Sequence, residues 1–241
     1  MSFMLPAWCR PSSSYRAQSY GWRRLLVQIF NAAAFSLTMA GGIAAPSARA
    51  AEPFKIVVLG DSLTAGYGLS AAEGVVPRLQ AALAKNGIAV EIVNAGVSGD
   101  TASDGLARLD WSVPQGTDAV IVELGANDML RGIKPEVTRA ALDAILSRLA
   151  ARHIVVLLCG MRAAPNLGAD YGQTFERVYP ELAAKYGAAL YPFFLDGVAG
   201  NLNLLQRDGL HPNAAGVDAI VTHILPQIET LIAHIRAQHP W

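Results

Sequence analysis

The sequence predicts an α/β domain built on a five-stranded parallel sheet with helices on both faces. Beyond residue 50, short apolar runs alternate with longer amphipathic ones, the pattern of strands and helices in a parallel sheet. The short runs are near-continuous Val, Ile and Leu rather than alternating, as expected of strands covered on both faces. The chain of 241 residues, once its N-terminal segment is set aside, suits one domain.

Strands are expected at residues 55–59, 90–94, 119–124, 153–158 and 189–193, with helices at 73–86, 101–109, 136–152, 171–186 and from Asn213 onward. Pro77 and Pro180 should perturb two helices, and Pro226 should kink or split the last, because proline removes an amide donor and clashes with the preceding turn. The stretch with least regular structure is 194–212, which contains Gly197, Gly200 and Gly209. Long connections of this kind inside a compact domain are usually functional. No repeat, low-complexity tract or linker follows residue 51, so 51–241 is expected to be a single domain.

Residues 1–50 differ in kind. They hold Arg10, Arg16, Arg23, Arg24 and Arg49 and no Asp or Glu. Arg23 and Arg24 precede an apolar run over 25–45, followed by small residues at Ala48 and Ala50, the order of a secretory signal cleaved after Ala50. The expected location is therefore periplasmic or secreted, with an uncleaved N-terminal membrane anchor as the rival. Cleavage removes five of the 19 basic residues and none of the 19 acidic ones, leaving a formal charge of −5. That sign speaks against a nucleic-acid partner. Cys9 would leave with the signal, and Cys159, following the apolar run 154–158, reads as a buried hydrophobe without a disulfide partner.

In open α/β sheets ligands bind beyond the carboxyl ends of the strands. Strand one runs into Gly60-Asp61-Ser62-Leu63, strand two ends at Asn94-Ala95-Gly96, strand three ends at Gly125-Ala126-Asn127-Asp128, and Asp208-Gly209-Leu210-His211-Pro212 opens the final helix. Together these supply a hydroxyl nucleophile (Ser62), a base (His211), a carboxylate to orient it (Asp208), and oxyanion donors in the amides of Ser62 and Gly96 and the side chain of Asn127. Serine is a weak nucleophile until an imidazole takes its proton, and the imidazole needs a partner that fixes its tautomer. Each piece alone is ordinary turn chemistry; the set, at successive strand ends, is what points to acyl transfer.

These blocks resemble those of the SGNH (GDSL) hydrolases, and more narrowly the exported bacterial acyl-CoA thioesterase I, lysophospholipase L1 and arylesterase subgroup. The likeness extends over most of 54–230, including Gly66-Tyr67-Gly68-Leu69 and Tyr191-Pro192-Phe193-Phe194. It implies a flavodoxin-like three-layer fold and Ser62, His211 and Asp208 as the triad. It further implies Gly96 and Asn127 in the oxyanion hole, an acyl ester, thioester or lysophospholipid substrate, and no metal or other cofactor. No stable protein partner is implied. The one departure is Ala126, where the subgroup often has a second glycine.

Met129, Leu130 and Ile133 follow Asn127 and are candidates to contact an acyl chain, or equally to anchor a loop. Asp61 and Asp128 read as turn stabilisers, and Arg162 as one half of a surface ion pair. Ser98 and Ser103 lack a supporting motif. There is no Gly-x-Ser-x-Gly elbow and no phosphate-binding Gly-Lys-Ser/Thr. Two other functions compete: a metal-dependent phosphoesterase using Asp61, Asp128, Asp208 and His211, and a non-catalytic envelope protein binding lipid or sugar at the same edge.

Overall fold

The computed structural model describes residues 53–238; the expected signal segment and His239 lie outside the described residues. Five parallel strands, β1 (Phe54–Gly60), β2 (Val90–Gly96), β3 (Ala119–Glu123), β4 (Val155–Cys159) and β5 (Ala189–Tyr191), lie in the order β2-β1-β3-β4-β5. This is the doubly wound order of flavodoxin-like sheets, and its switch point falls between β1 and β3. Burial explains the apolar strand sequences: Ile56, Val57 and Leu59 of β1 and Ala119, Val120 and Val122 of β3 are fully enclosed.

Among the described residues the α-helices are α1 (Ser62–Ala65), α2 (Val75–Lys85), α3 (Ala102–Ala107), α4 (Leu109–Ser112), α5 (Ala126–Leu130), α6 (Pro135–Ala151), α7 (Ala169–Tyr186) and α8 (Ala214–Gln238). They flank the sheet as two groups, α2 against α8 and α3 and α7 against α6. Their ends follow local chemistry. A capping box of Thr101 and Asp104 starts α3, Pro135 occupies the first turn of α6, and Gly187, at φ 63°, closes α7 in the left-handed conformation. The Asn213 side chain accepts the Gly216 N–H at the start of α8 while its amide donates to Asn203 O and Leu205 O, tying the long loop to the helix.

Several elements depart from expectation. Helix α8 runs unbroken through Pro226, and α7 through Pro180. A proline inside a helix costs about 3 kcal/mol. Around Pro226 the helix buries Ile224, Ile228, Leu231 and Ile232, and around Pro180 it buries Val178, Tyr179 and Leu182. At about 1.5–3 kcal/mol for each large side chain, packing outweighs the lost hydrogen bond. Pro77 lies in the first turn of α2, where its missing N–H would have had no intrahelical partner anyway. His153 does not begin a strand; it sits at φ 56° with its N–H donating to Ala150 O, closing the turn after α6. Strand β5 stops at Tyr191 because Pro192 brings no donor to continue the ladder. The expected helix over 101–109 breaks at Arg108 for a reason that belongs to the site.

Cys159 is buried, and burial pushes its thiol well above the usual range, as suits a small hydrophobe. Among the described residues, no helix is long and apolar enough to cross a membrane.

Candidate active site

The polar turns after β1, β2 and β3 emerge at one sheet edge, as the sequence suggests. Asp61 caps α1, its Oδ1 accepting the Leu63 N–H at 3.0 Å, which places Ser62 as the first helical residue, 9% exposed. At the far end of the chain an antiparallel bridge between Leu205 and Pro212 pinches off a loop, and Gln206 N–H donates to His211 O within it. Inside that loop Gly209 takes φ 71°, a conformation open to glycine at no steric cost. Asp208 Oδ1 accepts the N–H groups of both Leu210 (2.9 Å) and His211 (3.0 Å). Its Oδ2 lies 2.6 Å from His211 Nδ1, and His211 Nε2 lies 2.9 Å from Ser62 Oγ. The Tyr67 ring stands 4.6 Å from the imidazole, and the Gln206 amide donates to both Tyr67 O and Pro212 O, joining the two loops.

The two backbone N–H bonds, more than the imidazole, hold the Asp208 carboxyl down at about 2. Asp61 behaves in the opposite way: burial lifts its carboxyl to about 6 despite the bonds from Leu63 and Asn127.

Asn127 lies in the first turn of α5 and donates through Nδ2 to Asp61 Oδ2 (3.1 Å) and Asp100 O (3.0 Å). Both of its amide protons are thus already engaged. Ala126 adopts helical backbone while Gly125 before it carries the positive φ, so the departure from a double glycine costs this turn nothing. Asp128 is fully buried, accepting from the Ala102 N–H and the Thr138 hydroxyl; it fastens α3 and α6 to the site instead of stabilising its own turn.

Gly96 does not present its amide. Its N–H donates to Asn94 Oδ1 at 2.9 Å, and a Cβ there would fall 2.5 Å from Ala65 N and 2.9 Å from Asp61 O. The missing side chain makes room for α1, not for substrate. Just beyond it, Asp100 N–H donates to Val97 O, closing a turn in which Gly99 takes φ 91°, the third position of a type II turn. The Gly99 N–H is unpaired among the described residues, and its carbonyl is held by Arg131 at 2.6 Å.

Arg108 went unnoticed in the sequence. Its guanidinium reaches Asp100 Oδ2 (2.6 Å), Ala95 O (2.7 Å), Gly60 O (2.9 Å) and Ser112 Oγ (2.9 Å), fastening the ends of β1 and β2 to the 97–100 turn. The break between α3 and α4 is what turns this side chain inward. A lone arginine in a helical stretch gives no signal; only the break, invisible in the periodicity, reveals it.

Of the residues proposed to meet an acyl chain, Met129 packs against the core, Ile133 is half-buried with its carbonyl accepting from the Tyr171 hydroxyl, and Leu130 is 51% exposed. Among the described residues Arg162 pairs with no carboxylate; its guanidinium lies over the Phe193 ring, 4.7 Å from the centroid.

The profile of the GDSL-like lipase/acylhydrolase family matches residues 58–219. The chain belongs to this family. Esterase TesA of Pseudomonas aeruginosa is 39% identical over 178 residues, 73% of this chain and 89% of that one. Thioesterase 1/protease 1/lysophospholipase L1 of Escherichia coli K12 is 37% identical over 187 residues, 77% and 88% of the two chains. Among solved structures, TesA superposes with a TM-score of 0.70 at 39% identity, covering 73% of this chain and 99% of that one. The SGNH-hydrolase family esterase AlinE4 does so at 0.64 with 46% identity, covering 74% and 96%. This family member is accordingly a serine hydrolase of carboxylic esters.

Proposed function

We propose that Ser62 is the nucleophile of an acyl transfer in which His211 is the base and Asp208 orients it. The observation that carries this is the unbroken chain from Asp208 Oδ2 through the imidazole to Ser62 Oγ, 2.6 and 2.9 Å, across residues 149 apart in sequence. As Ser62 Oγ attacks the acyl carbon, its proton passes to His211 Nε2, and the same proton later goes to the departing alcohol or thiol. Water then repeats the step on the acyl-enzyme. The developing oxyanion takes the Ser62 N–H, the Gly99 N–H in place of that of Gly96, and one Asn127 proton, for which it competes with the Asp61 carboxylate.

We take the substrates to be small acyl esters and thioesters, lysophospholipids included. The names of the thioesterase and lysophospholipase relatives support this range, and Leu130, exposed beside Asn127, offers an acyl chain an apolar contact. The signal-like residues 1–50 support export with cleavage after Ala50.

The test uses residues 51–241, wild type and Ser62→Ala, on p-nitrophenyl esters from short to long chains with and without EDTA. Turnover should fall by about 10⁶ in the mutant, the scale of losing a serine nucleophile, and should survive EDTA. A mutant that keeps turning over would remove Ser62 from the chemistry, and inhibition by EDTA would revive the metal-dependent phosphoesterase.

A further inference from the structure

The last rung of the sheet aligns Gly96, Gly60, Glu123, Cys159 and Tyr191 across all five strands. Glu123 is the charged type in that row, and it is completely buried. Its Oε2 accepts the N–H of Asp61, the residue before the nucleophile, at 3.3 Å, the Thr64 hydroxyl donates to Asp61 O at the other end of the same residue, and Glu123 Oε1 has no partner among the described residues. The fit is close. A Cβ on Gly60 would lie 2.6 Å from Oε2 and 2.9 Å from Glu123 O, so the glycine that opens the Gly60-Asp61-Ser62 turn is the space this carboxyl occupies.

No cation pairs with Glu123 among the described residues. The titratable groups that face it are the Asp61 carboxyl after β1, the Cys159 thiol of β4 and the Tyr179 phenol of α7, none of them positive. Burial first, and then the Asp61 charge, push the pKa of its carboxyl well above the ordinary carboxyl range. A buried carboxyl in these surroundings escapes the cost of desolvation by holding its proton.

We propose that Glu123 is a positioning residue for the reaction: wedged beneath the nucleophile turn, its carboxyl fixes the Asp61 peptide, and with it the line from Ser62 Oγ to His211 Nε2. This rests on the reading of Ser62 as nucleophile. A peptide shifted by a fraction of an ångström at Asp61 displaces both the hydroxyl and the Ser62 N–H, and a misplacement near 1 Å costs about 10²-fold in rate.

Three variants test it. Glu123→Gln keeps an acceptor and a donor in the same shape without a proton to lose, and should retain kcat within about twofold with unchanged limbs in the pH profile of kcat/KM. Glu123→Leu keeps the volume without the acceptor and should fold, by circular dichroism and thermal midpoint, with kcat down about 10²-fold and KM nearly unaltered. Glu123→Asp withdraws the carboxyl by one methylene and should lose kcat in the same sense, which keeps the idea open to refutation if the leucine protein fails to fold. Full kcat in the leucine or aspartate protein would reduce Glu123 to packing. A glutamine protein with low kcat or a shifted pH limb would show that the charge is what is needed. Activity in Ser62→Ala would overturn the serine reading itself, whereas a normal Glu123→Leu beside a dead Ser62→Ala overturns only this inference.

Discussion

One carboxylate, that of Asp208, both builds the histidine turn and aims the ring. Oδ1 takes two backbone N–H groups and Oδ2 faces Nδ1, so the imidazole is presented to Ser62 with its Nε2 lone pair free to accept a proton. Asp208→Asn leaves the turn's acceptor in place but puts an N–H₂ opposite Nδ1, favouring the wrong tautomer. The expected result is a folded protein with kcat lower by about 10⁴, read from steady-state kinetics. The sign of the pH effect on stability follows from the same bonds. The folded carboxyl sits near 2 and the unfolded one at its ordinary 3.8, so the native state is the weaker proton binder. Its contribution is complete above about pH 4 and is lost as pH falls through 2. The difference in thermal midpoint between wild type and Asp208→Asn should therefore narrow over that window, and by a modest amount, since the side chain is 37% exposed. At this scale the candidate triad, which the structure brings into one hydrogen-bonded line, was legible because its residue types announce their chemistry. Which glycine N–H stays free at this edge was not. Gly96 and Gly99 stand three apart in one turn sequence, and what separates them is the Asn94 side chain capturing one of the two amides.

Among the elements, the strands and long helices could be read from apolar periodicity, whereas α1, α4 and α5 could not, being too short to show a period. They are also the elements that carry the site: Ser62 starts α1, Asn127 lies in α5, and the break before α4 turns Arg108 toward the sheet. Pro180 and Pro226 do not split α7 and α8, because tertiary burial on both sides of each ring outweighs the local penalty. The Arg108–Asp100 pair has side chains only 16% and 14% exposed, so removing the arginine strands a carboxylate and takes one donor from each of Ala95 O and Gly60 O, the latter keeping the Val97 N–H. Breaking a buried pair in this way costs about 3–5 kcal/mol. Arg108→Ala should accordingly show an urea-unfolding free energy lower by about that amount. Its kcat should fall as well, because the 97–100 turn holding Gly99 and receiving Asn127 is released. A stable Arg108→Ala protein with full kcat would show that the strand ends keep their spacing without the guanidinium.

Across the molecule, the strand order decides where chemistry is possible. The chain leaves β1 for β2 on one side and returns to β3 on the other, so the loops after β1 and β3 diverge around a crevice, with Ser62 on one lip and Asn127 on the other. The long 194–212 connection then brings His211 back over that crevice from the far end of the chain. Residues 1–50 lie outside the described residues, and their five arginines and absence of acids set them apart in composition from the acidic remainder. If that segment is an export signal, expression of the full chain in a bacterial host should yield a periplasmic species beginning at Ala51, identified by intact mass and N-terminal sequencing, with esterase activity in the same fraction. Replacing Arg23 and Arg24 by Glu should hold the uncleaved chain in the cytoplasm, since the basic segment before the apolar run orients it for translocation. A full-length chain that sediments with membranes and keeps its N-terminus would establish the apolar run over 25–45 as an anchor, placing the same crevice at a bilayer surface.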